Sequence, residues 1–412
     1  MPNLRVLNLL PDDRKTLRHI VDVMETVHSG RNEFMAMPGA ADTHSDGFEH
    51  PALRICDTLA QFEARASAAA KRADAIILHS LASPMVAPVL ARSFHTPVLW
   101  SVWGADLMNA VPLLQASQFL PRTAALRRDT RAARRADVPQ ASAATRLTSA
   151  LIYRSVGPDY RAVAKRLTGR VLATPWVRQI AQEIDYYASV EPVPELARAA
   201  PGFAADWTPV FKYYVVEPPK ELVSGVDIMI GNRATWSCNH LEALEAVRRS
   251  GDIQGRIVLP LNYGDAEYGK MIEHRARALF GNRVLALREW MDFESYSKIV
   301  RKCGTLVLNQ RRGQALGTSS LALAQGARVF FRSENTHYRF FKGLGAAVFA
   351  IDNRADKALL GAPLEAELQA QNRRVIAGNW SRAANLERAS SIVDLLDRHS
   401  RSRGEFSQHR VV

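Results

Sequence analysis

Twice along the chain, short apolar runs rich in β-branched residues alternate with segments of helical period, the pattern of βαβ units and a mostly parallel sheet. In the first half the runs are Arg5–Leu10, Asp74–His79 and Pro97–Val102, with helical segments at Arg14–His28, Thr58–Arg72 and Pro84–Ser93. In the second half they are Val226–Gly231, Arg256–Leu261, Arg283–Leu287, Thr305–Asn309, Arg328–Arg332 and Ala347–Ile351. Helical segments Cys238–Arg249, Asp265–Phe280, Phe293–Lys302, Thr318–Gln325 and Glu334–Lys342 lie between them. A repeat of about 20–25 residues per unit predicts a doubly wound sheet in each half, so the fold class is α/β with two Rossmann-like domains.

Domain limits follow from where the pattern lapses. Residues 186–224 carry Pro192, Pro194, Pro201, Pro209, Pro218 and Pro219 with no sustained periodicity and read as a linker. It separates an N-terminal domain, 1–185, from a C-terminal domain, 225–380. Residues 381–412 read as a terminal helix followed by a polar, basic, frayed tail. The N-terminus reads as a first strand rather than a targeting signal, since its apolar stretch runs straight into Asp12 and Asp13. The most apolar region, 75–91, is broken by His79, Ser80, Ser83, Pro84 and Pro88, short of the 18 or so apolar residues of a membrane span. The expectation is a cytoplasmic protein, at most peripheral on the inner face of the cytoplasmic membrane. Cys56, Cys238 and Cys303 stand alone, which excludes a disulfide framework and a paired-cysteine zinc site.

The chain of 412 residues has 54 Lys+Arg against 41 Asp+Glu, a formal net charge of +13, and only ten of the cations are lysine. Arginine binds phosphate through a planar fork, so anionic partners are expected. Arg127, Arg128, Arg131, Arg134 and Arg135 fall within about 120° on a helical wheel and form one basic face. That face reads either as a solvated helix surface or as a contact to anionic lipid or a phosphorylated acceptor. Nucleic acid is disfavoured, because no zinc-finger, RNP-like or heptad-bearing basic motif accompanies the charge.

Three strand-to-helix turns carry chemical content. At Gly231-Asn232-Arg233 the chain turns into a helix with Thr235 and Ser237 as extra donors, so backbone N–H groups and a helix N-terminus can face a phosphate. An ordinary turn with a helix cap is the alternative. After Asn309, a loop with Arg311, Arg312 and Gln314 leads to Gly317-Thr318-Ser319 at a second helix start, and beyond the next strand Glu334 opens a third helix, its carboxylate suited to ribose hydroxyls. In the first half, Trp103-Gly104-Ala105-Asp106 follows a strand. Asp106 is a candidate base for a substrate hydroxyl or a helix cap, and strand-end His79 is the competing base or a buried structural histidine. The sequence has no Asp-x-Asp, Walker phosphate loop, H-E-x-x-H, G-x-S-x-G or G-x-G-x-x-G after the first strand, which removes the main support for kinase, NTPase, zinc-protease, hydrolase and simple dehydrogenase readings.

Taken together, WGADL at 103–107, IGN at 230–232 with Ser237 and His240, LPLNY at 259–263, LGT at 316–318 and SEN at 333–335 resemble the 4-acetamido-4,6-dideoxy-D-galactose (Fuc4NAc) transferase family. His79, Phe293 with Tyr296, and Arg312 with Gln314 keep the same order. Arg233 stands where the family motif has serine. The resemblance implies a GT-B fold, two domains facing a cleft, and a glycosyltransferase of the hexosyltransferase kind that inverts and needs no metal or cofactor. It also implies a TDP-sugar donor held by the C-terminal domain and a polyprenyl-diphosphate-linked acceptor of enterobacterial common antigen, in cell envelope polysaccharide biosynthesis, met by the N-terminal domain at the membrane. The donor-binding residues are then Gly231, Asn232, Arg233, Ser237, Tyr263, Arg312, Gln314, Gly317, Thr318, Ser319, Glu334 and Asn335. Asp106 or His79 removes the acceptor proton while the diphosphate leaves from the opposite face. A transferase of other specificity and a non-catalytic binder of nucleotide-sugars or polyanions are the alternatives.

Overall fold

The computed structural model describes residues 4–11, 14–39, 48–110, 118–136, 175–193, 200, 202–251, 253–357 and 359–408. The chain divides into two compact units, one of residues 1–112, 172–217 and 377–412, the other of residues 113–171 and 218–376.

The first unit is built on seven parallel strands: β1 (Val6–Leu10), β2 (Asn32–Ala36), β3 (Leu53–Ile55), β4 (Ala75–His79), β5 (Val98–Ser101), β6 (Tyr186–Ser189) and β7 (Asp206–Pro209), in the order β3-β2-β1-β4-β5-β6-β7. Strands β1, β4 and β5 are buried along their whole length, as a parallel sheet covered on both faces requires. Helices α1 (Arg14–Val27), α2 (Leu59–Ala70), α3 (Val86–Ala91) and α4 (Ala105–Ala110) connect the early strands. Thr58 caps α2 by accepting from Gln61 N.

The second unit has six parallel strands: β8 (Asp227–Ile230), β9 (Ile257–Pro260), β10 (Val284–Leu287), β11 (Cys303–Leu308), β12 (Arg328–Phe331) and β13 (Phe349–Ala350), in the order β10-β9-β8-β11-β12-β13. Counted from its own first strand that is 3-2-1-4-5-6, the dinucleotide-fold order, and the order reverses between β8 and β11. Its helices are α5 (Pro121–Ala136), then, after α6 (Pro175–Ile180) of the first unit, α7 (His240–Arg249), α8 (Ala266–Phe280), α9 (Phe293–Lys302), α10 (Leu316–Gln325), α11 (Thr336–Gly343) and α12 (Arg354–Lys357). Asp265 and Asp292 cap α8 and α9. Two further helices, α13 (Ala366–Trp380) and α14 (Arg382–Gln408), end the described chain.

Three expectations need correction. The proline-rich stretch 186–224 is not simply a linker: Tyr186–Ser189 and Asp206–Pro209 add two strands to the first sheet, in register with Leu99–Ser101 and with each other. Each is four residues long and is defined by its pairing rather than by its own alternation, and Pro209 is tolerated because β7 is an edge. The described residues 118–136 group with the second unit rather than with the N-terminal domain. The basic tail does not fray at Arg398, since α14 runs to Gln408. Ala389, Ile392, Val393 and Leu396 of this helix enter one apolar cluster with Leu17, Ile20, Val21 and Met24 of α1. Leu396 is fully buried there, so Leu396→Ala should destabilise the first unit by about 3 kcal/mol in denaturant titrations. An unchanged midpoint would mean that the helix contributes nothing to this core.

Candidate functional site

In the second unit the predicted donor residues sit on loops that leave the C-terminal ends of β8, β9, β11 and β12. Gly231 follows β8 with φ +74°, and a Cβ there would stand 2.4 Å from His240 Nε2, so both conformation and space demand glycine. Asn232 Oδ1 accepts from Gln314 Nε2 at 3.0 Å and from Gln310 Nε2 at 3.3 Å, and Ser237 Oγ donates to Gln314 Oε1 at 2.8 Å. Asn335 is fully buried: it caps α11 by accepting from His337 N and donates to the carbonyls of Gln310 and Arg312, both at 2.8 Å. Asn232, Ser237, Gln314 and Asn335 therefore tie three loops into one layer.

Charge lies on top of that layer. Arg311 grips Glu334 with two bonds of 2.8 Å, Nε to Oε1 and a terminal nitrogen to Oε2, and Arg332 Nε adds a third at 2.8 Å to Oε1. The Arg311 pairing, with Arg332 assisting, holds the Glu334 carboxyl at about 2. A carboxylate offers about four acceptor positions, so three N–H donors leave room for one more hydroxyl on Oε2. Glu334 precedes Asn335, the cap of α11, and so stands outside the helix it was expected to open. Arg312 Nε donates to Gln118 Oε1 at 2.9 Å. Gln118, which sequence reasoning missed, belongs to no motif and lies 194 positions from its partner.

The helix starts divide. Helix α10 begins after Ala315, which sits at φ +66° and supplies no side-chain cap, so the N–H groups of its first turn, Gly317 and Thr318 among them, have no capping oxygen. Ser319, by contrast, is fully buried and spends its hydroxyl on the carbonyls of Ala315 and Leu316. Thr318 Oγ1 lies 3.4 Å from Tyr296 Oη. Tyr263 is partly exposed, and its carbonyl accepts from Ala234 N at 2.7 Å. Two buried nitrogens around the Gly231 turn, Arg233 Nε and His240 Nε2, have no hydrogen-bond partner among the described residues, and His240 Nδ1 meets Tyr268 Oη at 3.1 Å.

In the first unit the two candidate bases differ in kind. Asp106 is 3% exposed, and both oxygens are engaged: Oδ2 accepts from Trp100 Nε1 at 2.8 Å and Leu81 N at 3.1 Å, Oδ1 from Leu107 N at 2.9 Å and Trp103 N at 3.0 Å. Burial raises its pKa against the pull of these four donors. The carboxylate fastens the loops after β4 and β5.

His79 ends β4, next to β1 at the point where this strand order reverses. Its Nε2 lies 3.0 Å from Asn8 Oδ1, while Nδ1 is buried with no partner among the described residues. The tautomer follows from the amides behind it. Asn32 Nδ2 donates to the carbonyls of Met24 and His28 and to Glu25 Oε1, so Asn32 Oδ1 faces Asn8 Nδ2 at 3.4 Å. Asn8 Oδ1 is thereby turned to the ring, Nε2 carries the proton, and Nδ1 holds the lone pair. Burial lowers the ring's pKa to about 3 and keeps it neutral.

On helix α5 the Arg127 guanidinium lies 4.4 Å over the Phe119 ring and Arg128 is exposed; the side chains of Arg131, Arg134 and Arg135 lie outside the described residues.

The sequence pattern of the 4-alpha-L-fucosyltransferase group, glycosyl transferase group 56, matches residues 161–377, more than half of the chain. The chain belongs to glycosyl transferase group 56. It is therefore a glycosyltransferase, in line with the resemblance carried by its motifs. Solved structures agree in fold with this group 56 chain at low identity. AviGT4, a glycosyltransferase involved in avilamycin A biosynthesis, is 12% identical over 97% of this chain and 99% of its own, with a TM-score of 0.53. HepE of Anabaena, in complex with UDP, is 10% identical over 95% and 100%, with a TM-score of 0.57. The N-terminal domain of Candida albicans trehalose-6-phosphate phosphatase is 10% identical over 96% and 97%, with a TM-score of 0.58. The group 56 chain thus has the GT-B fold, two Rossmann-like domains each with a parallel sheet.

If Asp106 is a strut, Asp106→Asn should lower the unfolding free energy by about 2–4 kcal/mol, because an amide turns its own N–H groups toward donors that need an acceptor. A variant melting with the wild type would show that the carboxylate fastens nothing.

Proposed function

We propose that this transferase moves a deoxy acetamido sugar, Fuc4NAc by family resemblance, from its TDP donor to a polyprenyl-diphosphate-linked glycan, with inversion and without a metal ion. The observation that carries the reading is the Gly231–Arg233 turn, beside which two buried nitrogens have no partner among the described residues, at the switch point of a parallel sheet. An orphaned buried donor costs free energy until it is paired. With Tyr268 Oη donating to Nδ1, His240 Nε2 carries a proton, and a diphosphate offers acceptors to it and to Arg233. Arg312 and the uncapped first turn of α10 meet the remaining phosphate charge, which is how a leaving group is stabilised without magnesium. The open position on Glu334 Oε2 suits a ribose hydroxyl, Tyr263 flanks the turn, and Asn232, Ser237, Gln314, Ser319 and Asn335 hold the loops in place. HepE, of the same fold, binds UDP, which supports a nucleoside diphosphate donor.

On the acceptor side we assign the base to His79 rather than Asp106, because of the two only His79 keeps a lone pair with no partner among the described residues. The basic face of α5 supports contact of the enzyme with an anionic membrane surface at the cytoplasmic side, where a lipid-linked acceptor is met. No helix among the described residues is long and apolar enough to cross a membrane.

TDP should raise the melting temperature with the logarithm of its concentration over its dissociation constant, more than UDP or GDP does, and Arg233→Ala should remove that shift. Absence of a shift with all three nucleotides would sink the donor assignment. His79→Gln should cut kcat by about 10²–10⁴. A base whose pKa is lowered from 6.5 to about 3 stays deprotonated as pH falls through 6.5, so kcat/KM should show no imidazole limb between pH 6 and 7. A limb there that disappears in His79→Gln would contradict the buried, neutral ring.

A further inference from the structure

Gln118 and Leu120 belong to a short stretch just before helix α5, far in sequence from every donor-site motif, yet they are fastened to the end of the second sheet. Asn239, in the left-handed region at φ +49°, pairs its side-chain amide with that stretch as a second backbone would: Nδ2 donates to Gln118 O at 3.0 Å and Oδ1 accepts from Leu120 N at 2.8 Å. Asn239 is itself tied to Asn309 at the end of β11, by Nδ2 to Asn309 O at 3.2 Å and by Asn309 Nδ2 to Asn239 O at 3.0 Å. Further on, Thr123 N and Oγ1 donate to the Glu242 carboxylate at 2.9 and 2.6 Å. The stretch therefore has little freedom, and Gln118 is 6% exposed. Arginine is donor-only, so the orientation of the Gln118 amide is fixed: Oε1 faces Arg312 Nε. With one terminal nitrogen also on Gly313 O at 3.2 Å, the guanidinium plane is set from two sides.

We infer that Gln118 is a positioning residue for the donor: it holds Arg312 by Nε so that the guanidinium fork meets the diphosphate in one orientation. This rests on the donor-site reading above. The preorganisation saves the entropy of fixing a long side chain when the nucleotide arrives. The uncharged amide does so without neutralising the arginine, which a carboxylate at this position would.

The test is a double-mutant cycle on the full chain, with TDP as the calorimetric probe and donor KM and kcat as kinetic readouts. Gln118→Met keeps the length of the side chain and removes the acceptor. It should weaken TDP binding and raise donor KM about five- to tenfold, with a melting temperature close to that of the wild type. Arg312→Ala should weaken TDP binding further, and Gln118→Met should then add nothing. Gln118→Ala serves as a second probe of the same cycle. Additive losses, or TDP binding unchanged in Gln118→Met while Arg312→Ala weakens it, would overturn the positioning role alone. Unchanged binding in Arg312→Ala would instead overturn the donor assignment on which it rests.

Discussion

The side-chain amide of Asn239 fastens the loops above the second sheet. One amide donates and accepts at once, so it can bridge the stretch at Gln118–Leu120 and the end of β11 at Asn309 together. Asn232, Gln310, Gln314 and Asn335 repeat the device between the loops that follow β8, β11 and β12. Neutral cross-links suit a buried layer, because an ion pair there would have to recover the cost of dehydrating two charges. Charge is kept for the partly exposed layer above, where Arg311, Arg332 and Glu334 pair and Arg312 is steered. A neutral, cross-linked floor under a charged surface is the arrangement that gives the anion proposed above preorganised donors.

The first unit applies the same economy to its two candidate bases. Asp106 receives a donor at every acceptor position it has to spare, and its buried charge is thereby spent on structure. Among the described residues His79 is fastened at one nitrogen, by an amide relay that begins at the carbonyls of Met24 and His28 and ends at Asn8. Two groups that look equivalent as strand-end acids and bases thus part company through their hydrogen bonds. Edge contacts from Phe211 and Tyr213, with ring centres 6.1 and 6.2 Å away, keep water from the imidazole and account for its neutrality.

Much of this was legible in the sequence, and the exceptions have physical causes. All nine strands read from apolar runs are present to within two residues at their ends, because a strand buried on both faces must be apolar throughout. Strands β2, β3, β6 and β7 were missed: β2 opens on the polar pair Asn32 and Glu33, β6 is defined by its pairing, and β3 and β7 are edges whose outward residues need not be apolar. The turn at Gly231 was readable because its glycine is demanded by φ and by His240. The strut role of Asp106 was not, since four donors from the segment 81–107 converge on it only in three dimensions. Nor was Gln118, whose partner lies 194 positions away and whose own neighbourhood carries no pattern.

That separation reflects how the chain is shared between its units. Each compact unit is assembled from segments that are discontinuous in sequence: the second unit takes in the segment containing α5, and the first unit takes back the C-terminal helix α14. Such long closures are affordable, because loop entropy grows only logarithmically and each doubling of a loop costs about 0.6 kcal/mol. The apolar cluster between α1 and α14, and the hydrogen bonds of Thr123 and Gln118 in the second unit, supply contacts that outweigh a cost of that size. One consequence is that neither sequence half, cut at the apparent linker, contains a whole unit. The segment whose Gln118 accepts from Arg312 enters the second unit from the far side of that cut, so the Arg312–Gln118 hydrogen bond forms only in the intact chain.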